Sequence, residues 1–299
     1  MRTTFFTVAA LAAMVAFTSC DNESDNLPDN NTPVAVQFSA GINQALPQLR
    51  AANALWTNGD QIGIFMVDNG TTTIAESAEN KQYTTTGSSS FSAVAGNQIY
   101  YPMDGSAVDF IAYYPWVNGS KLTVPYSVNT ASQSNQEAID LLWATATNSA
   151  AGYNKAYSGA ANFEFSHKLT KLILNTQAGT GLNASDLTGM TVSISGLNTT
   201  ANFNLADGTL TALANANTFA PLTVANGTKY EAIIVPQNAS SMKVTFKLTS
   251  NEEFVWTVPS TNFLSTTEYT FAITLQRTGV TVEGTINAWR MEYGSGTAE

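Results

Sequence analysis

The feature that most constrains this chain is an alternation of apolar with small or polar residues, which begins at Val34 and recurs almost to the C-terminus. Successive side chains of an extended strand point to opposite faces, so a period of two gives a strand one apolar face, whereas a helix needs a period of 3.6. The first such run, 34–42, places Val34, Val36, Phe38, Ala40 and Ile42 on one face. It therefore predicts a strand that is buried on one side.

Similar short runs continue along the chain and are separated by turn sequences such as Asp104-Gly105 and Asn226-Gly227. Only 11% of the residues are charged, against about 25% in an average soluble domain. Much of the polar surface is therefore Thr, Ser, Asn and Gln, which suit strands and turns better than long helices. One helical turn is expected near 134–140. We predict an all-β protein with strands over 34–42, 61–67, 108–114, 122–126, 141–144, 163–175, 190–194, 230–235, 242–248, 254–258, 269–275 and 280–286.

The length of 299 residues suffices for two domains. The segment 145–161 is rich in Ala, Ser, Gly and Asn and low in large apolar residues, which is typical of a boundary. We expect an N-terminal domain over 34–158 and a C-terminal domain over 159–299.

The N-terminus has the pattern of an export signal. Arg2 supplies a positive charge, and 5–17 form an apolar run of about 13 residues, too short to span a bilayer, which needs roughly 20. Cys20, the only cysteine, follows small residues at the end of this run and resembles the acylated cysteine of a bacterial lipobox. We expect a lipoprotein signal peptide over 1–20 and a disordered tether over 21–33. A standard signal peptide with an incidental cysteine is the alternative.

Composition and motifs argue against several functional classes. A net charge of −10 leaves no basic surface to neutralise nucleic-acid phosphates or to dock on anionic lipid. The single histidine, His167, lies in an alternating strand, where we expect its ring to bond backbone in a structural role. The adjacent pair Glu252-Glu253 lies in a predicted hairpin loop, where both side chains are expected to be solvated. We expect no enzymatic activity, catalytic residue, metal site or cofactor.

Five segments together resemble the fimbrillin family of Bacteroidetes, Gram-negative bacteria, a family that includes the major and minor pilins of type V pili. They occur in the family's order over nearly the whole mature chain: WTNGDQIGIF (56–65), VDFIAYYP (108–115), FEFSHKLTKL (163–172), AIIVPQ (232–237), and GVTV (279–282) with Trp289 and GSG (294–296).

The resemblance implies two transthyretin-like β-sandwich domains in series and export as a lipoprotein to the outer membrane and the cell-surface fimbrium. It also implies that a trypsin-like protease removes the first strand, so that a strand of another pilin subunit can take its place. Arg50 is the only Lys or Arg between Arg2 and Lys81. Cleavage there would remove 34–50 and leave Ala51 as the new N-terminus; an ordinary surface arginine is the alternative.

The C-terminal segment 279–293 is the candidate donor of the replacement strand. An ordinary edge strand of the second domain is the alternative. The apolar side chains that would be donated are Val280, Val282, Ile286, Trp289, Met291 and Tyr293.

A competing hypothesis is a cell-surface lipoprotein that binds glycans, with host glycans or proteins as partners. Tyr100-Tyr101 and 113–116 (Tyr-Tyr-Pro-Trp) are aromatic clusters that could stack on sugar rings. Alternatively, these aromatic residues fill and edge the core.

Overall fold

The structure, a computed structural model, describes residues 32–43 and 55–288. Within these ranges it has 21 strands and two short 3₁₀ helices, Ser149–Ala151 and Ala184–Leu187, so the prediction of an all-β protein is confirmed. The described part of the chain has no helix long and apolar enough to cross a membrane.

The strands fall into two groups along the chain. The first group is β1 (Phe38–Ile42), β2 (Asn58–Asp68), β3 (Lys81–Thr86), β4 (Ser90–Ala93), β5 (Val108–Tyr114), β6 (Tyr126–Asn129), β7 (Leu142–Ala146) and β8 (Ala161–His167). The second group is β9 (Thr170–Ala178), β10 (Thr191–Asn198), β11 (Thr200–Asn204), β12 (Thr209–Ala212), β13 (Ala216–Phe219), β14 (Leu222–Ala225), β15 (Lys229–Ile234), β16 (Gln237–Ala239), β17 (Lys243–Lys247), β18 (Glu253–Thr257), β19 (Thr261–Phe263), β20 (Thr267–Gln276) and β21 (Gly279–Ala288).

Seven strands of the first group close a barrel in the order β1-β4-β3-β2-β5-β7-β8. Its interior is filled by inward-facing apolar side chains, among them Ile62 and Ile64 of β2, Phe110 of β5, and Phe163 and Phe165 of β8. β8 alternates buried and more exposed positions, which is the period of two seen in the sequence, whereas most of β2 and β5 is buried on both faces.

The second group forms a sandwich. The sheet β13-β10-β17-β18 faces the sheet β14-β15-β9-β20-β21, and side chains from both contribute to one apolar core. The predicted hairpin 242–258 is present as β17 and β18, which pair from Lys243↔Thr257 to Lys247↔Glu253.

The barrel and the sandwich share a third apolar cluster. It joins Phe65 and Tyr113 of the barrel to Phe203 of β11 and Ile233 of β15. The three-stranded sheet β12-β11-β6 also crosses between the groups, because β6 pairs with β11. The described residues from Pro33 onward therefore form one compact unit. The division at residue 158 stays a prediction. β8 follows residue 158 in sequence and is one of the seven strands of the barrel.

Two predicted strands differ from the structure. The strand predicted over 122–126 is wrong: the strand is Tyr126–Asn129, which starts after Pro125 because proline has no N–H for the ladder. The strand predicted over 163–175 divides into β8 and β9 around residues 168–169. The turn expected at 134–140 is present as one hydrogen-bonded turn, in which the N–H groups of Ile139 and Asp140 donate to the carbonyl of Gln136 (3.2 and 3.0 Å). Just before it, the Gln133 side chain donates to the carbonyl of Ile233 and accepts the N–H of the same residue (2.8 Å each).

Candidate functional site

The candidate site is the position of β1 in the barrel, between two strands that are distant in sequence. β1 is antiparallel to β4, with Phe38 opposite Phe91, and parallel to β8, from Phe38↔Ala161 to Ile42↔Phe165. Among the strands that the structure describes, no other pairing joins β4 to β8. Removing β1 would therefore open the barrel and expose two sheet edges at once.

Backbone hydrogen bonds hold β1 on both sides. On the β4 side, the N–H of Ala40 donates to the carbonyl of Ser89 (2.7 Å). On the β8 side, the N–H of Ala161 donates to the carbonyl of Gln37 (2.8 Å). A replacement strand would have to make equivalent bonds, which any extended peptide can do regardless of its sequence.

Three inward-facing side chains, of β1 and of the two residues before it, are buried in the barrel. Val36 and Phe38 are each 3% exposed, and Ala40 is 1% exposed. The three inward positions are thus two large side chains followed by a small one, and they fill the space between β4 and β8.

Phe38 is the centre of this face. Its ring meets Tyr83 and Phe110 edge to face, with centroids 5.1 and 5.0 Å away, and stacks on Phe163 at 5.6 Å. Edge-to-face and offset-stacked arrangements are the favourable geometries of aromatic pairs. Phe38 therefore ties β1 to β3, β5 and β8 at one point.

The two ends of the predicted face differ from its centre. Val34 is 38% exposed, so the expectation that it points inward is wrong. It precedes β1, where its carbonyl accepts the N–H of Tyr101 (3.0 Å). Ile42 is half-buried and packs against the barrel core at the end of β1.

Trp56 is part of this site, although the alternation of 34–42 gave no sign of it. Its indole N–H donates to the carbonyl of Ala40 (2.9 Å). Its ring packs edge to face on Phe91 of β4 and Phe165 of β8, with centroids 5.1 and 5.3 Å away. Since Trp56 follows Arg50 in sequence, it would stay with the protein after a cut there.

Several predicted site residues lie outside the described residues. These are Cys20, Arg50, Ala51, Trp289, Met291 and Tyr293.

The C-terminal segment, as far as residue 288, is an edge strand. β21 pairs with β20 over ten positions, from Gly279↔Gln276 to Ala288↔Thr267. Val280 and Val282 are half-buried against the sandwich core, whereas Ile286 is 66% exposed. This arrangement agrees with the ordinary edge strand, and donation of the segment stays a prediction.

The aromatic clusters divide into buried and exposed members. Tyr101 and Tyr113 are buried, and Trp116 is half-buried with its indole N–H donating to the carbonyl of Asn80 (3.4 Å). Tyr100, in contrast, is 47% exposed. The predicted platform at 113–116 is therefore mainly packing, and Tyr100 is left as the exposed aromatic side chain of the two clusters.

His167 has a partner that the sequence did not indicate. Its Nδ1 lies 2.8 Å from Oδ1 of Asp140, and both residues are buried. The expectation of a bond from the ring to backbone thus missed this carboxylate, which lies 27 residues earlier in the chain. Over the described ranges, no group of three or more His, Cys, Asp or Glu side chains is arranged to hold a metal ion.

Comparisons with known proteins give a consistent result. The sequence profile described as fimbrillin-like matches residues 50–289. A Bacteroides uniformis protein named "Putative fimbrium subunit Fim1C" is 33% identical over 301 residues, which cover 97% of this chain and 96% of that protein.

Solved structures agree with the sequence matches. The structure of a "putative cell adhesion protein" from Bacteroides uniformis has a TM-score of 0.73 and 30% identity, covering 88% of this chain and 99% of that one. The tip fimbrial protein Mfa3 from Porphyromonas gingivalis, with a C-terminal truncation, has a TM-score of 0.54 at 10% identity, covering 86% of this chain and all of that one, which is a likeness of fold alone. The chain belongs to the fimbrillin-like family.

Proposed function

We propose that this protein is a structural or adhesive subunit of a cell-surface fimbrium, and that it assembles with other pilin subunits by strand exchange at the position of β1. Family membership and the similarity to a fimbrium subunit support the first part. The single observation that supports the second is that, of the described strands, β1 alone joins β4 to β8 in the barrel.

The energetics favour a replacement strand. Burial of Val36 and Phe38 contributes roughly 1.5–3 kcal/mol each, as an upper range, and Ala40 about 1 kcal/mol. After removal of β1, these pockets and the unpaired edges of β4 and β8 would be exposed to water. A strand of the same apolar pattern from a neighbouring subunit would recover both the burial and the backbone hydrogen bonds.

The proposed trigger is proteolysis after Arg50 by a trypsin-like protease. Until the cut, β1 would cover the edges on which uncontrolled aggregation depends. Acylation of Cys20 would hold the precursor at the outer membrane, so that cleavage and exchange take place at the cell surface. Trp56 would remain beside the opened groove, where its indole N–H could bind a carbonyl of the incoming strand as it now binds that of Ala40.

The segment 279–293 of another subunit is the proposed donor. Its first ten residues already form an edge strand with one partner, β20. The high exposure of Ile286 is consistent with an apolar side chain that has its burial site on another molecule.

Limited trypsin digestion of the purified chain starting at residue 21 tests this proposal. We expect a new N-terminus at Ala51 and growth of polymers detectable by light scattering. Arg50→Lys, which trypsin still cleaves, is expected to behave like the wild type, whereas Arg50→Ala is expected to remain monomeric. A folded product that starts at Ala51 and stays monomeric, or equal polymerisation of Arg50→Ala, would contradict strand exchange.

A further inference from the structure

An open groove lies at the barrel beside the start of the described chain. It encloses about 550 Å³ and is lined by, among others, Pro33, Glu76, Lys81, Tyr100 and Met103. Small-molecule sites in proteins typically enclose about 300–1,000 Å³. The groove is therefore large enough for a ligand of one or two sugar rings.

One side of the groove is a loop with a strained and fixed backbone. Glu76 and Ser77 have φ angles of 48° and 56°, a region that non-glycine residues seldom adopt. Two hydrogen bonds hold this loop on β2: the N–H of Ala75 donates to the carbonyl of Met66 (2.9 Å), and the N–H of Met66 donates to the carbonyl of Ala78 (3.0 Å). The groove is thus preformed, which reduces the entropy lost when a ligand binds.

The side chains that line the groove favour an uncharged ligand with both apolar and polar surfaces. Tyr100 is 47% exposed and offers an aromatic ring to the C–H face of a sugar. Glu76 and Lys81 carry opposite charges, so the groove has little net charge of its own and can bond hydroxyl groups through either side chain. The net charge of −10 on the chain opposes acidic ligands. We propose that this groove binds the end of a neutral oligosaccharide.

The other side of the groove depends on the residues that precede β1. The N–H of Val36 donates to the carbonyl of Ile99 (2.9 Å), and the N–H of Tyr101 donates to the carbonyl of Val34 (3.0 Å). Because Tyr100 lies between these two bonds and Pro33 lines the groove itself, loss of the N-terminal segment would disturb the site. This coupling rests on the proposed function, whereas saccharide binding by the intact chain does not.

A saccharide array tests the site with the intact chain. The probes are immobilised oligosaccharides that end in glucose, galactose, mannose or N-acetylhexosamines, with sialylated and sulfated counterparts for comparison. We expect binding to at least one neutral probe. In titration calorimetry with that probe, Tyr100→Ala should weaken binding at least tenfold, while Tyr100→Phe, which keeps the ring, should remain within about threefold of the wild type.

Leu264→Ala provides the matched surface control, since Leu264 is 52% exposed and does not line the groove; its binding should be unchanged. Absence of binding to every neutral probe at millimolar concentration would overturn the proposal. Preference for the acidic probes, or equal binding by Tyr100→Ala, would overturn it as well. If the trypsin-cleaved protein, in whatever assembly state it adopts, binds the probe as tightly as the intact chain, the coupling alone is refuted, and the polymerisation result for the Arg50 variants is unaffected.

Discussion

Replacing Phe38 with alanine is the most direct perturbation of the β1 position. The ring is 3% exposed and touches three other aromatic rings at centroid distances of 5.0–5.6 Å. Truncation of a buried Phe to Ala costs about 3–5 kcal/mol, because the transfer free energy is lost and a cavity remains. The upper half of this range applies if the surrounding rings, which belong to three different strands, cannot collapse into the space.

Urea unfolding followed by tryptophan fluorescence measures this change, and Trp56 is a local probe because it bonds the carbonyl of Ala40. We expect Phe38→Ala to lower the free energy of unfolding by about 3–5 kcal/mol with an unchanged denaturant slope. Val34→Ala, on the same segment but 38% exposed, should change it by no more than about 0.5 kcal/mol. A loss below about 1 kcal/mol for Phe38→Ala would show that β1 is not anchored through its inner face, and the case for exchange at this position would fail.

Two further predictions concern buried polar groups. The hydroxyl of Tyr101 is buried and has no hydrogen-bond partner among the described residues, so Tyr101→Phe should raise the free energy of unfolding by about 1 kcal/mol. Tyr113→Phe, which removes a hydroxyl with satisfied hydrogen bonds, should lower it by about as much. A lower free energy of unfolding for Tyr101→Phe would contradict this reasoning. Burial raises the pKa of Glu231, but the charge of Lys171 and a second lysine outweigh it and hold the pKa below its usual value. Because its folded pKa is lowered, the stabilisation by Glu231 is present above about pH 4.3 and is lost as the pH falls through the folded pKa. Glu231→Gln leaves the buried charge of Lys171 without this carboxylate partner and should lower the free energy of unfolding by about 3–5 kcal/mol at pH 7 and progressively less below pH 4. The control Glu253→Gln, at an exposed ion pair, should lower it by about 0.5 kcal/mol or less. A pH-independent effect of Glu231→Gln would contradict the role of the Glu231 charge.

The strongly alternating segments could be predicted from sequence because burial on one face imposes a period of two on the residues. The strand at 108–114 was predicted with its observed bounds, and the two strands of the hairpin, β17 and β18, were predicted to within one residue at every end. Strands made mostly of polar residues were missed. In β12 and β13, for example, no residue is buried except Phe219, so neither face is marked by apolar side chains.

Contacts between residues distant in sequence also could not be predicted. The alternation of 34–42 indicates a buried face, but it does not say that β4 and β8 are the neighbours or that Trp56 bonds Ala40. The partner of His167 was missed for the same reason. A period reports which face of a strand is buried, whereas the identity of its neighbours depends on the topology of the whole barrel.

The separation in sequence between β1 and its neighbours also bears on how exchange could work. Ser39 bonds the side chain of Asn162 across 123 residues, and every pair between β1 and β8 spans a similar distance. Contacts of this kind form late in folding, because the chain entropy is lost on closing a long loop before the contacts stabilise the chain. If β4 and β8 are in place before β1 docks between them, the same position is also accessible to a strand of another chain. The topology that makes β1 the link between β4 and β8 therefore supports the proposal that a strand of a second chain takes its place.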